Sequence, residues 1–320
     1  NDRFFVKSYR KLADQAALDL AIDSQIVNLN LEQLATKFMF SDVDRQIIIL
    51  AIKGIERRTL NDRQVQELIR NRKAGTWYSD FEHLYEAISA ASSFLSLLDK
   101  IPLSFTSALE AFNRYCDELF EADQHYRHFI AHANIAEASQ PLESLRSLIE
   151  GYYSTKFLSP LGLAWQQQID GIENWRIPGI RNQTEFYDAY VKPVIAKGNK
   201  LVVVVSDALR YEIAKELGSV IREEDRFDAE LSSMLGSVPS YTQLGMAALL
   251  PHKQLSFVDS DKGLVVLDGQ STEGTANRAK ILEGFGGSAI QWSDFMKLKR
   301  EESRELIKNS QVLYVYHNQI

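Results

Sequence analysis

KLVVVVSDALRYEIAKEL, residues 200–217, and SSMLGSVPSYTQLGMAALLPH, residues 232–252, are the stretches whose reading decides the fold. Leu201–Val205 is an unbroken apolar run, the pattern of a parallel strand buried on both faces. It stops at Ser206-Asp207, and a helical pattern follows at once. That order places Asp207 at the C-terminal end of a central strand, where open α/β sheets gather their ligands and chemistry. The second stretch repeats the design. AELSSML reads as a strand, Gly236–Pro239 as a turn, and TQLGMAALLP as a short helix with Ser240 and Thr242 near its start.

Outward from this region, the spacing predicts further strands in KGLVVLDG, SAIQWSD and QVLYVYHN, with helices between most of them. Strand–helix alternation predicts an α/β domain over residues 200–320 built on a mainly parallel sheet flanked by helices. Residues 171–199, with Trp175, Pro178, Gly179 and Asn182, read as a connecting segment, and EFYDAYVKPVIAKGNK as a helix leading into the first strand. Residues 1–170 carry helical periodicity throughout and predict an all-helical domain. Asp42 is a candidate N-cap there, and Pro102, Pro141 and Pro160 are expected to fall between helices. No fixed-period repeat occurs, which argues against a solenoid.

The 320 residues, 45% hydrophobic and 25% charged, suffice for two domains and a sizeable core. A formal net charge of −7 gives no global attraction to nucleic acid. The single cysteine, Cys116, rules out an internal disulfide and suits a reducing, cytoplasmic setting. No apolar run approaches the ~20 residues of a membrane span, so no membrane association is expected. The start NDRFFVKSYR lacks an initiator Met and the end VLYVYHNQI stops inside a predicted strand, so a piece of a longer chain is expected.

Among chemistry-bearing residues, Asp207 reads either as a helix cap or as a carboxylate ligand for Zn²⁺ or Mn²⁺. Arg210 and Glu212 lie within one turn of it. Arg210 is a substrate-contact candidate, with a surface ion pair as the plainer role. Ser237, Ser240 and Thr242 place three hydroxyls in six residues, and at least one is expected to cap the following helix. A metal at Asp207 would help deprotonate such a hydroxyl and hold a phosphoryl oxygen. No GxxxxGK[ST] or GxGxxG is present, which disfavours a P-loop ATPase or a Rossmann dinucleotide enzyme.

The segments VVVSDALRYEIAKEL, SVPSYTQLGMAALLPH, VVLDGQSTEGTANRAKIL and VLYVYHNQI together resemble the PglZ family. That family belongs to the alkaline phosphatase superfamily and is a component of BREX phage-defence systems. WYSDFEHLYEAIS resembles the region that precedes the PglZ core. The resemblance implies a metal-dependent phosphatase or phosphodiesterase with two divalent metals, zinc first and manganese or magnesium as alternatives. By position, Asp207 matches the first metal-ligand Asp and Thr242 the Thr nucleophile, which also touches metal. A sulfatase-like Cys/Ser-x-Pro pattern points instead to Ser237, with Ser240 a further alternative. His317, at the end of the last strand, is a candidate metal ligand, and the remaining ligands are expected beyond Ile320. Implied partners are other BREX subunits, a BrxB-like protein and a PglX-like methyltransferase, and the implied substrate is a phosphoester, nucleotide or nucleic acid. The competing reading is a non-catalytic scaffold whose helical domain docks those subunits.

Four groups of residues in the rest of the chain invite a site reading and have plainer ones. Asp268-Gly269 is a turn dipeptide at a strand end. Thr272, Thr275 and Arg278 either cap a helix or border a cleft. His125, His128 and His132 share a helix face that reads as a packing interface before a metal site. The basic residues Lys53, Arg57, Arg58, Arg63, Arg70, Arg72 and Lys73 read as a solvated helix face, with a nucleic-acid contact beside Trp77 and Tyr78 as the alternative.

Overall fold

Apolar residues at helical spacing become the core of the first of two units, Asn1–Gln168 and Ile169–Ile320. The protein is described by a computed structural model covering residues 2–136, 140–259 and 263–318. The first unit contains α1 (Asp2–Asp19), α2 (Ile22–Ile26), α3 (Leu31–Ala35), α4 (Ser41–Glu56), α5 (Asp62–Arg72) and α6 (Tyr78–Leu98). It continues through α7 (Ala108–Arg114), α8 (Phe120–Ile135), α9 (Glu143–Tyr152) and α10 (Ser159–Ile169). The inward stripe of α6, Tyr85, Ile88, Ala91, Phe94 and Leu95, is buried in one cluster with Val43, Ile47 and Ile48 of α4 and Phe129 of α8. Each such side chain removed from water contributes about 1.5–3 kcal/mol.

Local chemistry sets the helix starts. Asn61 caps α5 in a reciprocal box with Gln64, and Asn30 does the same for α3 with Gln33. Asp42 is not a cap: the residue before α4 is Phe40, and Asp42 lies inside the first turn, where its charge still favours the helix dipole. Pro160 also departs from expectation, because it sits inside helix α10. A π-helical segment, Tyr153–Leu158, joins α9 to α10, and its widened turn relaxes the hydrogen-bond ladder that a proline would otherwise interrupt. A second π-helical segment, Tyr115–Leu119, joins α7 to α8. The two segments converge on one buried acid: Tyr115 and Tyr153 donate from their hydroxyls to the two oxygens of Asp123, both at 2.5 Å.

The second unit holds α11 (Lys192–Ile195), β1 (Leu201–Ser206), α12 (Tyr211–Glu223), α13 (Thr242–Ala248), β2 (Leu255–Asp259), β3 (Leu264–Leu267) and β4 (Gln270–Ser271). It ends with α14 (Gly274–Glu283), β5 (Gly287–Gln291), α15 (Trp292–Phe295), α16 (Arg300–Asn309) and β6 (Val312–His317). β1, β6 and β5 form a parallel sheet in that order, with Leu201 opposite Val312 and Ser206 opposite His317. Val203, Val312, Tyr314 and Tyr316 pack against Leu244 and Ala247 of α13 and Ile281 and Leu282 of α14. The fold is thus α/β with a helical N-terminal region.

Three details correct the strand expectations. β6, not β1, is the middle strand: Val312–Tyr316 are buried, whereas Val202 and Val204 remain 46% and 58% exposed. Residues 228–235 form no strand; only Leu235 pairs, in an isolated bridge with Asn182. KGLVVLDG supplies β3 to a separate antiparallel sheet, β2-β3-β4, and its Asp268-Gly269 makes the two-residue hairpin turn to β4. Both turn residues have positive φ, 50° and 81°, which suits the mirror-image turns that match strand twist. The segment before β1 is less regular than a single helix, with a π-helical turn at Tyr187–Val191 leading into α11.

Candidate functional site

The C-terminal edge of the parallel sheet collects three strand ends. β1 closes at Ser206, and the Asp207 amide donates to the His317 carbonyl at 2.9 Å, extending the ladder by one rung. Ser206 Oγ lies 3.1 Å from His317 Nδ1, so the serine holds the imidazole and leaves Nε2 uncommitted to that contact. Trp292, the first residue after β5, meets the His317 ring edge-on, with centroids 6.0 Å apart. The chain then turns sharply away from the sheet through Ala208, whose φ of 61° is unusual for a residue with a Cβ. Strain of this kind costs about 1–3 kcal/mol and gathers at functional positions. Arg210, about half exposed, places Nε 3.0 Å from Oε1 of the fully buried Glu212. That ion pair anchors the start of α12 beside Asp207.

The three hydroxyls behave differently from the capping expectation. Thr242 is the first residue of α13, and Tyr241 occupies the cap position without any side-chain cap. Tyr241 instead donates from its hydroxyl to the Gly263 carbonyl at 2.8 Å. Thr242 and Ser240 are exposed, and Ser237 is half-buried with its backbone N–H on Gln183 Oε1 at 3.1 Å. None of the three hydroxyls is engaged in capping α13, which leaves them chemically uncommitted.

The structure therefore brings together Asp207, Ser206 and His317, while Arg210, a little further along the chain, pairs with Glu212. No hydrogen bond among the described residues links Ser237, Ser240 or Thr242 to Asp207. No group of three His, Cys, Asp or Glu side chains able to hold a metal occurs among the described residues. Carboxylate and imidazole are both ligand types that zinc takes.

Sequence reasoning set aside one group that borders the same edge. Arg278 of α14 is buried; its Nε donates to the Thr272 carbonyl at 3.0 Å, and its guanidinium lies 4.6 Å from the centroid of Tyr316, the residue before His317. Burial pushes the Tyr316 phenol up to about 12, with Arg278 opposing the shift. Gln291, at the end of β5, donates from Nε2 to Thr275 Oγ1 at 2.5 Å and ties α14 to the strand end. Thr272, Thr275 and Arg278 are thus committed inside the fold. No sequence signal marked Arg278 as the partner of Tyr316, because the two belong to separate elements.

The helical unit resolves its candidates structurally. His132 pairs with His83 of α6 across 3.0 Å between Nδ1 atoms, and among the described residues no group able to hold a metal includes His125 or His128. Burial lowers the pKa of His125 and of His132, with His83 adding to the effect at His132. In the basic run, Arg72 is buried and ion-paired to Asp44, Arg58 pairs with Asp99 and Lys73 with Glu86. Arg72 is thereby taken out of any solvated basic face, and Arg58 and Lys73 have acidic partners at the surface. No helix among the described residues is long and apolar enough to cross a membrane.

Comparison with known proteins places the chain in a family. The profile of the PglZ family, described as the BREX system PglZ alkaline phosphatase-like domain, matches residues 186–320. The chain is 38% identical over 284 residues to the alkaline phosphatase-like protein BrxZ of Escherichia coli O9:H4 (strain HS), covering 85% of this chain and 33% of that protein. It is 29% identical over 318 residues to the alkaline phosphatase-like protein PglZ of Bacillus cereus (strain H3081.97), covering 98% of this chain and 37% of that protein. The chain thus spans about a third of the length of these relatives. No solved structure matches it. With the domain match falling on the unit that carries Asp207, Thr242 and His317, and with both relatives aligned through the helical unit as well, the chain belongs to the PglZ family of BREX phage-defence components.

Proposed function

We propose that the chain contributes a metal-dependent phosphoester-hydrolysing domain to a BREX system in the cytoplasm, with Thr242 as the nucleophile. The observation that carries this reading is the junction of Asp207 and His317 at the ends of adjacent parallel strands, tied by the 2.9 Å backbone bond between them. A carboxylate and a neutral imidazole suit zinc first, with manganese or magnesium as alternatives. The described residues bring only two ligands to this edge and do not complete a site by themselves. Two divalent metals, when bound in a complete site, would polarise a phosphoryl oxygen and lower the pKa of the attacking hydroxyl. Ser206 fixes the ring of His317 through Nδ1 and presents Nε2 for coordination. Arg210 supplies a guanidinium for a phosphate oxygen while Glu212 holds it from behind. The Thr242 hydroxyl, free of any capping duty, forms its bond to phosphorus as the ester oxygen departs with a proton. Water then releases the phosphate from Thr242.

The test is hydrolysis of a chromogenic phosphodiester and phosphomonoester by the zinc-supplemented protein, with metal content read by mass spectrometry. Thr242→Ala is expected to lower the rate on the order of 10³-fold or more. Ser237→Ala and Ser240→Ala are expected to retain it. An unchanged rate in Thr242→Ala, with the loss in Ser237→Ala instead, transfers the nucleophile to Ser237.

A second reading concerns partners. BREX membership implies other BREX subunits, and the helical unit carries large apolar side chains in solvent, with Leu12 and Leu18 foremost. The proposed contacts are a BrxB-like protein and a PglX-like methyltransferase. Co-purification of these subunits with the chain, weakened by a joint Leu12→Asp and Leu18→Asp variant, is the expected result. Undiminished co-purification argues against this face.

A further inference from the structure

The helical unit holds a pocket of about 320 Å³ that none of the preceding chemistry uses. Its wall is built from Phe105, Phe112, Tyr115, Cys116, Leu161 and Trp165, with Gly162 at one side. The wall is fixed in place rather than loosely assembled. Gln168 Nε2 donates to the Phe105 carbonyl at 2.9 Å, the Arg114 guanidinium lies 5.3 Å from the Phe105 ring centroid, and Tyr115 and Cys116 sit in the π-helical segment clamped by Asp123. The hydroxyl of Tyr115 is spent on Asp123, so it offers nothing polar to an occupant. π-Helical segments recur at functional positions, and here one of them shapes the wall.

Gly162 gives a second, independent indication. It lies inside α10, where glycine weakens a helix, and a Cβ built on it meets no atom within 4 Å. No neighbour inside the chain needs that space. Gly162 lines the pocket, so a side chain there would stand at its rim.

We propose that this pocket is a binding site for an uncharged, planar aromatic small molecule of bicyclic size. The size follows from volume: an apolar cavity of about 150 Å³ accepts a benzene ring, and this one is about twice that. The aromatic preference follows from Phe105, Phe112, Tyr115 and Trp165, which offer edge and face contacts to a flat ring system. The absence of charge follows from the lining, where no ionisable group other than the Cys116 thiol and the committed Tyr115 phenol is present.

The test titrates the full 320-residue chain with prodan, an uncharged naphthalene fluorophore, and follows its blue shift and the energy transfer from tryptophan. Saturable binding at one site is expected, with a Kd of roughly 0.1 mM or tighter from the usual yield per ligand atom. Gly162→Leu adds a bulky side chain at the pocket's rim, where its Cβ meets no atom within 4 Å, and is expected to weaken binding at least tenfold while the protein melts no lower than the parent. Leu163→Ser, on the exposed side of the same helix, is expected to bind as the parent does. In the unaltered protein, saturating prodan is expected to slow alkylation of Cys116, the only thiol, at least threefold. Non-saturating binding, equal affinity in Gly162→Leu, or unaltered Cys116 alkylation under saturation each overturns the proposal. So does capture of an apolar partner segment at this pocket without any prodan binding.

Discussion

Removing Arg72 isolates a buried charge, and the consequence can be worked from five contacts. Arg72 and Asp44 are about 1% exposed or less, and the guanidinium addresses both carboxylate oxygens, Nε to Oδ1 at 2.9 Å and Nη2 to Oδ2 at 2.5 Å. Nη1 donates to the Lys37 carbonyl at 2.7 Å, and the Tyr85 hydroxyl donates to Asp44 Oδ1 at 2.5 Å. The guanidinium also stacks over Phe38 at 4.3 Å. Arg72→Met keeps much of the volume and deletes the countercharge, leaving a carboxylate in the core with Tyr85 as its remaining neutral donor. Breaking one side of such a pair costs about 3–5 kcal/mol. For a unit of this size that corresponds to a fall in Tm of roughly 10 °C. The paired change Asp44→Leu with Arg72→Met removes the stranded charge and is expected to regain about 1–2 kcal/mol over the single variant, short of full recovery because the Lys37 carbonyl and Tyr85 hydroxyl lose partners. Thermal melts followed by circular dichroism, with urea midpoints as a check, read both numbers. A single variant melting within about 2 °C of the parent, or a double variant less stable than the single, refutes the assignment of this pair as a desolvated charge cluster.

Other consequences are as concrete. His125 and His132 have pKa values lowered below the ordinary value, chiefly by burial, with His128 adding at both and His83 at His132, while Glu82 and Glu86 oppose at His132. A depressed folded pKa contributes stability above the unfolded value of about 6.5 that is lost as pH falls through the folded one. Urea midpoints are therefore expected to drop as pH falls below about 6.5, and a joint His125→Gln and His132→Gln variant is expected to flatten that slope. At the other extreme, burial raises Tyr85, Tyr314 and Tyr316, the last to about 12. Their neutral forms stabilise the fold fully below about pH 10, and stability is expected to fall as pH rises through the range up to the folded values. Phenolate absorbance should lag behind that of free tyrosine over the same range. Finally, a Cβ on Gly287 would stand 2.7 Å from Val312 Cγ1 and 3.0 Å from its carbonyl oxygen, so Gly287→Ala is expected to cost about 1–3 kcal/mol by forcing β5 from β6. A melt unchanged from the parent would show that the strand pair gives way freely.

What the sequence made legible, and what it hid, divides along the range of the interactions. β1 and α13 were readable because a run of valines and the TQLGMAALLP pattern each state their own local preference. Asp207 could be set at a strand end for the same reason, and its adjacency to His317 follows once β1 and β6 pair in register. The strand expected at residues 228–235 fails because alternation only offers a face. Pairing needs a neighbour, and Leu235 alone finds one, in Asn182. Conversely, β2 follows Pro251 and has little pattern of its own, yet it exists because β3 runs antiparallel beside it. The histidine stripe was visible at helical spacing, but its true partner, His83, lies 49 positions away on α6. The same holds for Asp123, fixed by Tyr115 and Tyr153, and for Arg278 over Tyr316. The hydroxyls show why a residue type at a helix start is not yet a role. Three were available to cap α13, and Tyr241 took the cap position while spending its own hydroxyl on Gly263. That leaves Thr242 exposed as the first residue of a short helix whose start has no side-chain cap, so a hydroxyl at a helix start does not by itself take the capping role.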